Sequence, residues 1–407
     1  MATVLTNDAN YTAIADAIRA KGGEGTFTPA QMATAIANLP SGGGAAPSAK
    51  WNDVSFIDYD GAILYSYSLE EAQALTELPA LPNHDGLVCQ GWNWTLEAIK
   101  ALHRPVIVGA MYITDDGATK LHIRIATVGR MTVPLYIGQT IANGVSINWG
   151  DGSAAETLAG TGNVNTSHTY AEPGDYLISL TPDDGCKLSF GNGSSSYCVM
   201  GSTGNNNRVY CNMLQEVYVG KNVTTIGNSA FYNCYSLASV TIPDEVTSIG
   251  GSAFCNSYSL ASVTIPDRIS SIGFNAFLNC YSLASVTIPD GLSSIGSSAF
   301  QNCYSIASVI IPDGLSSIGF SVFNNCYSLA SVIIPDSVTT IQNSVFNNCY
   351  GMRFYDFSNY TAVPTLSNTS AFKNIPSDCQ MLIPTALYDN WKSATNWTTY
   401  ASYMVSV

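Results

Sequence analysis

LASVTIPDGLSSIGSSAFQNCYS, residues 283–305, is one copy of a unit that recurs six times between residues 214 and 351 with a period of 23. Phe231, Phe254, Phe277, Phe300, Phe323 and Phe346 hold one position of the unit, and Ile226, Ile249, Ile272, Ile295, Ile318 and Ile341 hold another. A fixed period of this length means a stack of like coils, because one unit is too short to bury its own apolar face and must lend it to a neighbour. Alternation within the unit tells which side is buried. Val286 and Ile288 lie two apart and share a face with Leu283, while Ser285 and Thr287 point the other way. Pro289 has no N–H for a ladder and ends the strand. Leu292, Ile295 and Phe300 then return beneath it to close the coil. At roughly 4.8 Å per strand, such coils build a parallel sheet about 29 Å wide, edged by ladders of Asn302, Cys303, Tyr304 and their equivalents.

Written as LxxVxIPxxxxxIGxxAFxxCxx, the unit resembles the BspA-type leucine-rich repeat of bacterial surface proteins and of tail proteins of phages that infect gut bacteria. The resemblance covers about a third of the chain. It implies a solenoid, and it implies little about function, since this scaffold carries binding surfaces of many kinds.

The 407 residues leave room for further domains. Only 11% are charged, and 15 Lys+Arg against 29 Asp+Glu give a formal charge of −14. Sequence-independent nucleic-acid binding needs clustered Lys and Arg, so no nucleic-acid partner is expected. Low charge with abundant Ser, Thr, Asn, Gly and Tyr fits an extracellular structural protein or adhesin. Residues 1–8 carry neither the basic nor the apolar region of a secretory signal. No apolar run is long enough to span a bilayer, so no membrane insertion is expected. A surface adhesin would need export and a virion protein would not, which favours a phage-tail location over a bacterial cell surface.

Six of the 11 cysteines belong to the repeat: Cys234, Cys255, Cys280, Cys303, Cys326 and Cys349. Equivalent side chains in a ladder run parallel and do not point at one another, so these read as free, slowly reacting buried thiols. In the second coil the order is swapped, with Cys255 and Ser257 where the first has Tyr232 and Cys234. Cys211 lies 23 before Cys234, which hints at a degenerate half-coil ahead of the first clear one. With no C-x-x-C pair and four His, neither metal nor cofactor is expected.

Outward from the repeat, the chain reads as a mainly β, multidomain protein. Residues 1–40 carry two short helices, with Tyr11, Ile14 and Ile18 on one stripe and Met32, Ile36 and Leu39 on another, the second opening at Thr28-Pro29-Ala30-Gln31. They cannot hide these stripes alone and need a partner. YTAIADAIRAKGGEGTFTPAQMATAIANL also resembles a segment of phage tail and minor structural proteins, which implies attachment to other tail proteins and a homo-oligomer. Residues 41–50 form a flexible linker. Residues 51–117 read as a small α+β module. Strands 54–59 and 63–67 meet at Asp60-Gly61, one helix opens at Ser68 and another at Trp94-Thr95, and strands 106–108 and 111–113 flank Gly109. DYDGAILYSYS, LPNHDGLVCQGWNW and MYITDDGATKLHI resemble a module of gut-phage tail proteins. Residues 118–190 read as a β-sandwich. There WGDG at 149–152, with His168-Thr169-Tyr170 and Pro173-Gly174-Asp175-Tyr176, resembles the immunoglobulin-like PKD domain, implying that Trp149 fills the core and Asp151-Gly152 turns. Residues 191–213 are a transition, 214–351 the repeats, and 352–407 a cap. In the cap Thr385 starts a helix carrying Leu387, Tyr388 and Trp391, which would cover the last strand's edge.

No catalytic constellation stands out. His168 invites a Ser-His-Asp reading but sits in the sandwich motif. His84-Asp85 and His103-Arg104 have no nucleophile motif nearby. Asp115-Asp116 and Asp183-Asp184 are each followed closely by Gly, as turns are. The exposed row Asp244, Asp267, Asp290, Asp313 and Asp336 follows Pro, where Asp also suits a turn. The expectation is a non-enzymatic phage-tail protein recognising a host-surface protein or glycan. A bacterial adhesin and a glycan-cleaving tailspike are the alternatives.

Comparing the coils places the binding surface. The strand face shows mostly outward Ser and Thr, such as Ser239 and Thr241, turning to Ile310 and Ile333. Three positions vary freely: Glu245 and Arg268 in one row, Phe274 and Phe320 in the next, Leu278 and Gln301 in the third. A solvent-facing Phe is costly to keep, and aromatics beside Arg favour binding. Phe274, Phe320, Arg268, Leu278, Glu245 and Gln301 are therefore the expected receptor contacts.

Overall fold

The computed structural model describes residues 54–57, 63–83, 87–92, 96–100, 106–114, 117–191, 197–202 and 208–407. The expected helical segment 1–40 and linker 41–50 lie outside the described residues. So do the turn at Asp60-Gly61, the helix opening at Trp94-Thr95, and His84-Asp85, His103-Arg104 and Asp115-Asp116.

The first unit has strands β1 (Val54–Ile57), β2 (Ile63–Tyr67), β3 (Leu87–Trp92) and β4 (Val106–Thr114), with helices α1 (Leu69–Gln73) and α2 (Leu96–Lys100). Its sheet runs β2-β1-β4-β3. Ser68 caps α1 in a reciprocal box with Glu71, each taking a backbone N–H of the other. Phe56 and Trp92 meet edge to face at 4.9 Å in a small core with Val54, Ile99 and Val108. β4 passes straight through Gly109, where the sequence predicts two strands. Its first half is held by β1 and its second by β3, and ladder bonds on both sides override the glycine.

Seven strands then form two facing sheets: β5 (Thr119–Ile125), β6 (Thr132–Gln139), β7 (Val145–Asn148), β8 (Glu156–Thr157), β9 (Gly162–Thr169), β10 (Gly174–Pro182) and β11 (Leu188–Phe190). After the hairpin β12 (Tyr197–Cys198) and β13 (Gly201–Ser202) and the turn of helix α3 (Arg208–Cys211), the repeats begin with β14 (Leu214–Tyr218) and β15 (Val223–Ile226). β14 pairs antiparallel with β5, and β15 pairs parallel with β11, so both sheets of the sandwich continue into the walls of the solenoid. One apolar core runs through both, from Trp149 to Trp397. At the seam the Gly220 N–H meets the Thr119 hydroxyl at 2.9 Å. A Cβ on Gly220 would lie 2.4 Å from the carbonyl oxygen of Gly117, so only glycine fits.

His122 on β5 also straddles this seam, with Nδ1 3.3 Å from Glu216 of β14 and Nε2 3.3 Å from Asp175 of β10. Arg124 holds the same Asp175 at 2.8 Å, and the Tyr218 hydroxyl donates to Glu216 at 2.7 Å. The hydrogen bond to Glu216 raises the His122 pKa, outweighing burial, which acts the other way. A raised folded-state value means that the imidazolium adds stability fully present below the unfolded value of about 6.5 and lost as pH climbs through the folded one. The melting temperature should therefore rise on acidification through that window, and His122→Gln should flatten the rise. Parallel melting curves for the two proteins would refute this role.

In the array the front strands are β16 (Ser239–Thr241), β17 (Ser262–Thr264), β19 (Ser285–Thr287), β21 (Ser308–Ile310), β23 (Ser331–Ile333), β25 (Phe354–Asp356) and β27 (Gln380–Ile383). The back wall holds β18 (Ser271–Ile272), β20 (Ser294–Ile295), β22 (Ser317–Ile318), β24 (Thr340–Ile341) and β26 (Thr365–Leu366). Front neighbours pair in parallel and in register, as Ser262, Val263 and Thr264 do with Ser285, Val286 and Thr287. The buried Phe rings stack from Phe231 to Phe346 at 5.2–5.6 Å with planes within 14°. Phe372 adds a further rung at 5.6 Å although it lies 26 residues on, so a coil with extra residues still keeps its core side chain in line.

Each coil turns on two left-handed residues, such as Ser298 (φ 57°) and Asn302 (φ 63°). Asn tolerates this conformation better than most residues. Its amide is also used: the Nδ2 of Asn256, Asn279, Asn302, Asn325 and Asn348 each donates to the Oδ1 of the Asn one coil earlier at 2.6 Å. The thiols of Cys280, Cys303, Cys326 and Cys349 donate to the Phe carbonyl of the preceding coil at 3.2–3.4 Å. Outside them Tyr235, Tyr258, Tyr281, Tyr304, Tyr327 and Tyr350 stack at 4.5–5.4 Å.

The sequence places Ser239 and Thr241 on an open face, but they are only 3% and 8% exposed. Strand β4 of the first unit lies across β14, β16, β17 and β19 and covers Thr241, while Ser239 belongs to a row that is buried again as far along as Ser331. Beyond the reach of β4, Ile310 and Ile333 are 41% and 38% exposed on the same face.

The C-terminus differs from expectation as well. Thr385 does not cap a helix: residues 385–387 are a 3-10 turn, and the Thr385 hydroxyl meets Ser406 and the Val407 carbonyl. The helix α4 (Tyr388–Ser393) follows, and then β28 (Met404–Ser406) adds a parallel strand to β27. The edge is thus made by the chain's own last strand. Trp391 and Trp397, both fully buried, instead close the open end of the core against Phe357.

Candidate functional site

A position that repeats every 23 residues becomes a row across the coils, one stacking step apart. Phe274 and Phe320 share the row that follows the back strands, with Ser297 of the intervening coil between them. They are 59% and 47% exposed. Gly251, in the same row, explains how Phe274 is held. A Cβ there would lie 2.6 Å from the Phe274 ring, so the ring packs onto the bare glycine and shows its remaining surface to solvent. The sequence comparison contains this signal, since Gly251 and Phe274 are equivalent residues of adjacent coils.

Arg268 is exposed and Glu245 half-buried, both in the row between front and back strands. Strand β18 separates Arg268 from Phe274 along the chain. Leu278 and Gln301 are half-buried, and their row is turned inward more than free variation suggests. Cys255, in that row, is 4% exposed, and the Oδ1 atoms of Asn324 and Asn347 are buried. Phe274 and Phe320 are thus the two residues of the expected set that stand well out of the surface in a single row.

The titratable clusters read as structural. His168 Nε2 lies 2.7 Å from Asp151, its ring stacks on Trp149 at 5.0 Å, and the Tyr170 hydroxyl donates to the Trp149 carbonyl at 2.9 Å. Hydrogen bonding from Ser153 and from His168 lowers the Asp151 pKa to about 2. Serine here bonds the carboxylate and not the imidazole, which is the wrong order for a nucleophile. Asp183 sits in a turn, its carbonyl accepting from Cys186 N–H at 3.0 Å. Among the described residues no three His, Cys, Asp or Glu are placed to hold a metal ion, and no helix is long and apolar enough to cross a membrane.

Burial pushes the repeat thiols upward, Cys255 to about 12 and Cys303 and Cys326 well above the ordinary value. Since the thiolate is the reactive form, native-state alkylation of Cys280, Cys303 and Cys326 should be slower than that of an unfolded-chain cysteine by at least about a hundredfold. Rapid labelling of the folded protein would contradict the buried ladder.

Residues 202–261 and 247–379 match the family model described as BspA type leucine-rich repeat region, in 6 copies. Among solved structures, a leucine-rich repeat protein of T. pallidum is 27% identical over 40% of this chain and 84% of its own, with a TM-score of 0.35. One from Bacteroides ovatus is 29% identical over 43% of this chain and 46% of its own, with a TM-score of 0.39. A leucine-rich cell surface protein of Faecalibacterium prausnitzii is 23% identical over 48% and 66%, with a TM-score of 0.28. No curated protein matches the chain. Residues 202–379 thus match the BspA-type leucine-rich repeat region, and over the same stretch the chain folds as a solenoid with stacked Phe and Asn ladders.

Proposed function

We propose that this is a non-enzymatic recognition or adhesion protein that grips a surface ligand along one edge of its solenoid, with Phe274 and Phe320 as anchors. The observation that carries this reading is the exposure of two large aromatic side chains in one row, where other coils place Asn228, Gly251, Ser297 and Asn343. Water-exposed aromatics in a row suit a receptor surface, and aromatic anchors dominate binding energy when desolvated. Arg268, Glu245, Leu278 and Gln301 flank them and would set specificity for a host protein or glycan.

Two settings accommodate this activity. BspA-type repeats suit display at a bacterial cell surface. The resemblances of residues 1–40 and 51–117 to phage proteins suit a tail protein that joins other tail proteins, or further copies of itself, through residues 1–40. Mass spectrometry of purified virions and of surface-shaved cells separates the two.

The test of the site is the double variant Phe274→Ser/Phe320→Ser, measured for adsorption to host cells beside a melting curve. Losing two anchors should weaken adsorption at least about tenfold, with the array still melting cooperatively, because neither ring belongs to the buried Phe ladder. Undiminished adsorption removes the site, and shortened glycan products from the unmodified protein would overturn the non-enzymatic reading.

A further inference from the structure

Two cysteines outside the ladder, Cys198 and Cys211, do not behave like those within it. Cys198 ends the short strand β12 and Cys211 ends α3, and their Sγ atoms stand 2.7 Å apart. Both residues are 1% exposed. Each is held by its own framework. The Val199 N–H donates to the Ala230 carbonyl of the first coil at 2.8 Å, its carbonyl accepts from Tyr136 of β6 at 2.9 Å, and the Met213 N–H closes the end of α3 on Tyr210 at 3.0 Å. Ladder thiols such as Cys280 instead run parallel and donate to backbone carbonyls.

We propose that Cys198 and Cys211 are a disulfide-forming pair, oxidised during folding by a small-molecule disulfide, whose bond staples the sandwich to the first coil. In this step the thiolate of one cysteine attacks the oxidant and releases one thiol. The second cysteine then attacks the mixed disulfide and releases the other. Two thiols lose two protons and two electrons, and the oxidant becomes two thiols. The bond closes a ring between residues 13 apart, spanning the segment that links the hairpin to α3. Oxidation belongs to folding for a physical reason. The contact with Cys211 and burial hold the Cys198 thiol well above its ordinary pKa. At Cys211 the contact with Cys198 acts downward, but the contact with Cys234 and burial outweigh it. The packed pair therefore offers little thiolate to an oxidant.

The full chain, reduced and denatured, is refolded in a mixture of glutathione and glutathione disulfide, alkylated under denaturing conditions and cut with trypsin. Cleavage after Lys187, Arg208 and Lys221 puts Cys198 and Cys211 on separate peptides, 188–208 and 209–221, with Cys234 on a third. The expected product is the pair 188–208 and 209–221 joined by one disulfide. Alkyl groups on both cysteines, or Cys211 joined to Cys234, overturns the proposal. Limited proteolysis gives the second arm: cleavage between residues 199 and 210 should be about a hundredfold slower in the oxidised than in the reduced protein, as expected for a closed loop of this size. The double variant Cys198→Ser/Cys211→Ser should lose that redox dependence while keeping the far-UV signature of the array. Persistence of the dependence in the variant counts against the staple.

Discussion

Phe300→Ala should lower the stability of the array by about 3–5 kcal/mol, the range for emptying a fully buried aromatic site. The ring is 0% exposed and stacks on both neighbours, Phe277 at 5.3 Å and Phe323 at 5.6 Å. Backbone bonds of the coils on either side fix their spacing, so the void cannot collapse: Phe277 N–H donates to the Ala299 carbonyl at 2.8 Å and Phe300 N–H to the Val322 carbonyl at 3.0 Å. In a solenoid each coil touches only its neighbours, so the damage should also split the unfolding into two transitions. Hydrogen exchange during urea unfolding checks this. Coils after residue 300 should lose protection before those packed on the sandwich, and one unchanged cooperative transition would contradict the stack model.

The second large effect is expected at Asn302. Its Nδ2 donates to Asn279 Oδ1, and its Oδ1 accepts from Asn325 Nδ2, both at 2.6 Å. Asn302→Ala strands both partners at roughly 1–3 kcal/mol each and forces Ala into the left-handed region for about 1–2 kcal/mol more. A total near 4 kcal/mol is expected. Asn302→Gly removes the amide but keeps the backbone freedom, so it should recover the conformational part alone, about 1 kcal/mol. Denaturant midpoints of the two variants measure the difference. Equal destabilisation would mean that φ at this corner carries no cost.

The limits of reading by sequence are visible in particular residues. Within the array nearly every inward side chain was legible, because a period of 23 compares each position with itself several times over. The strand ending at Pro289, the Phe ladder and the parallel thiols all follow from that comparison. Outside it there is one copy of each pattern, and local cues were outvoted. Gly109 reads as a break until β1 pairs with it and β3 takes up the strand from Ala110 onward. Thr385 reads as a cap until its hydroxyl finds the chain end. The exposed row was legible at Phe274 and Phe320, while the inward turn of the Leu278 and Gln301 row was not, because variability does not distinguish solvent from a tolerant half-buried corner.

By itself the sequence determined the coil, its core and the ladders along its corners, since these depend on spacing along the chain and on side-chain chemistry that repeats with it. Only the tertiary structure decided where the array begins, what covers it and what closes it. β5 and β11 accept β14 and β15 as partners, β4 hides Thr241 while leaving the equivalent Ile310 and Ile333 open, and Cys198 meets Cys211. These are pairings between segments of unlike sequence, chosen by the hydrogen bonds a free strand edge must make and the apolar area an open core must bury, and no periodicity records them.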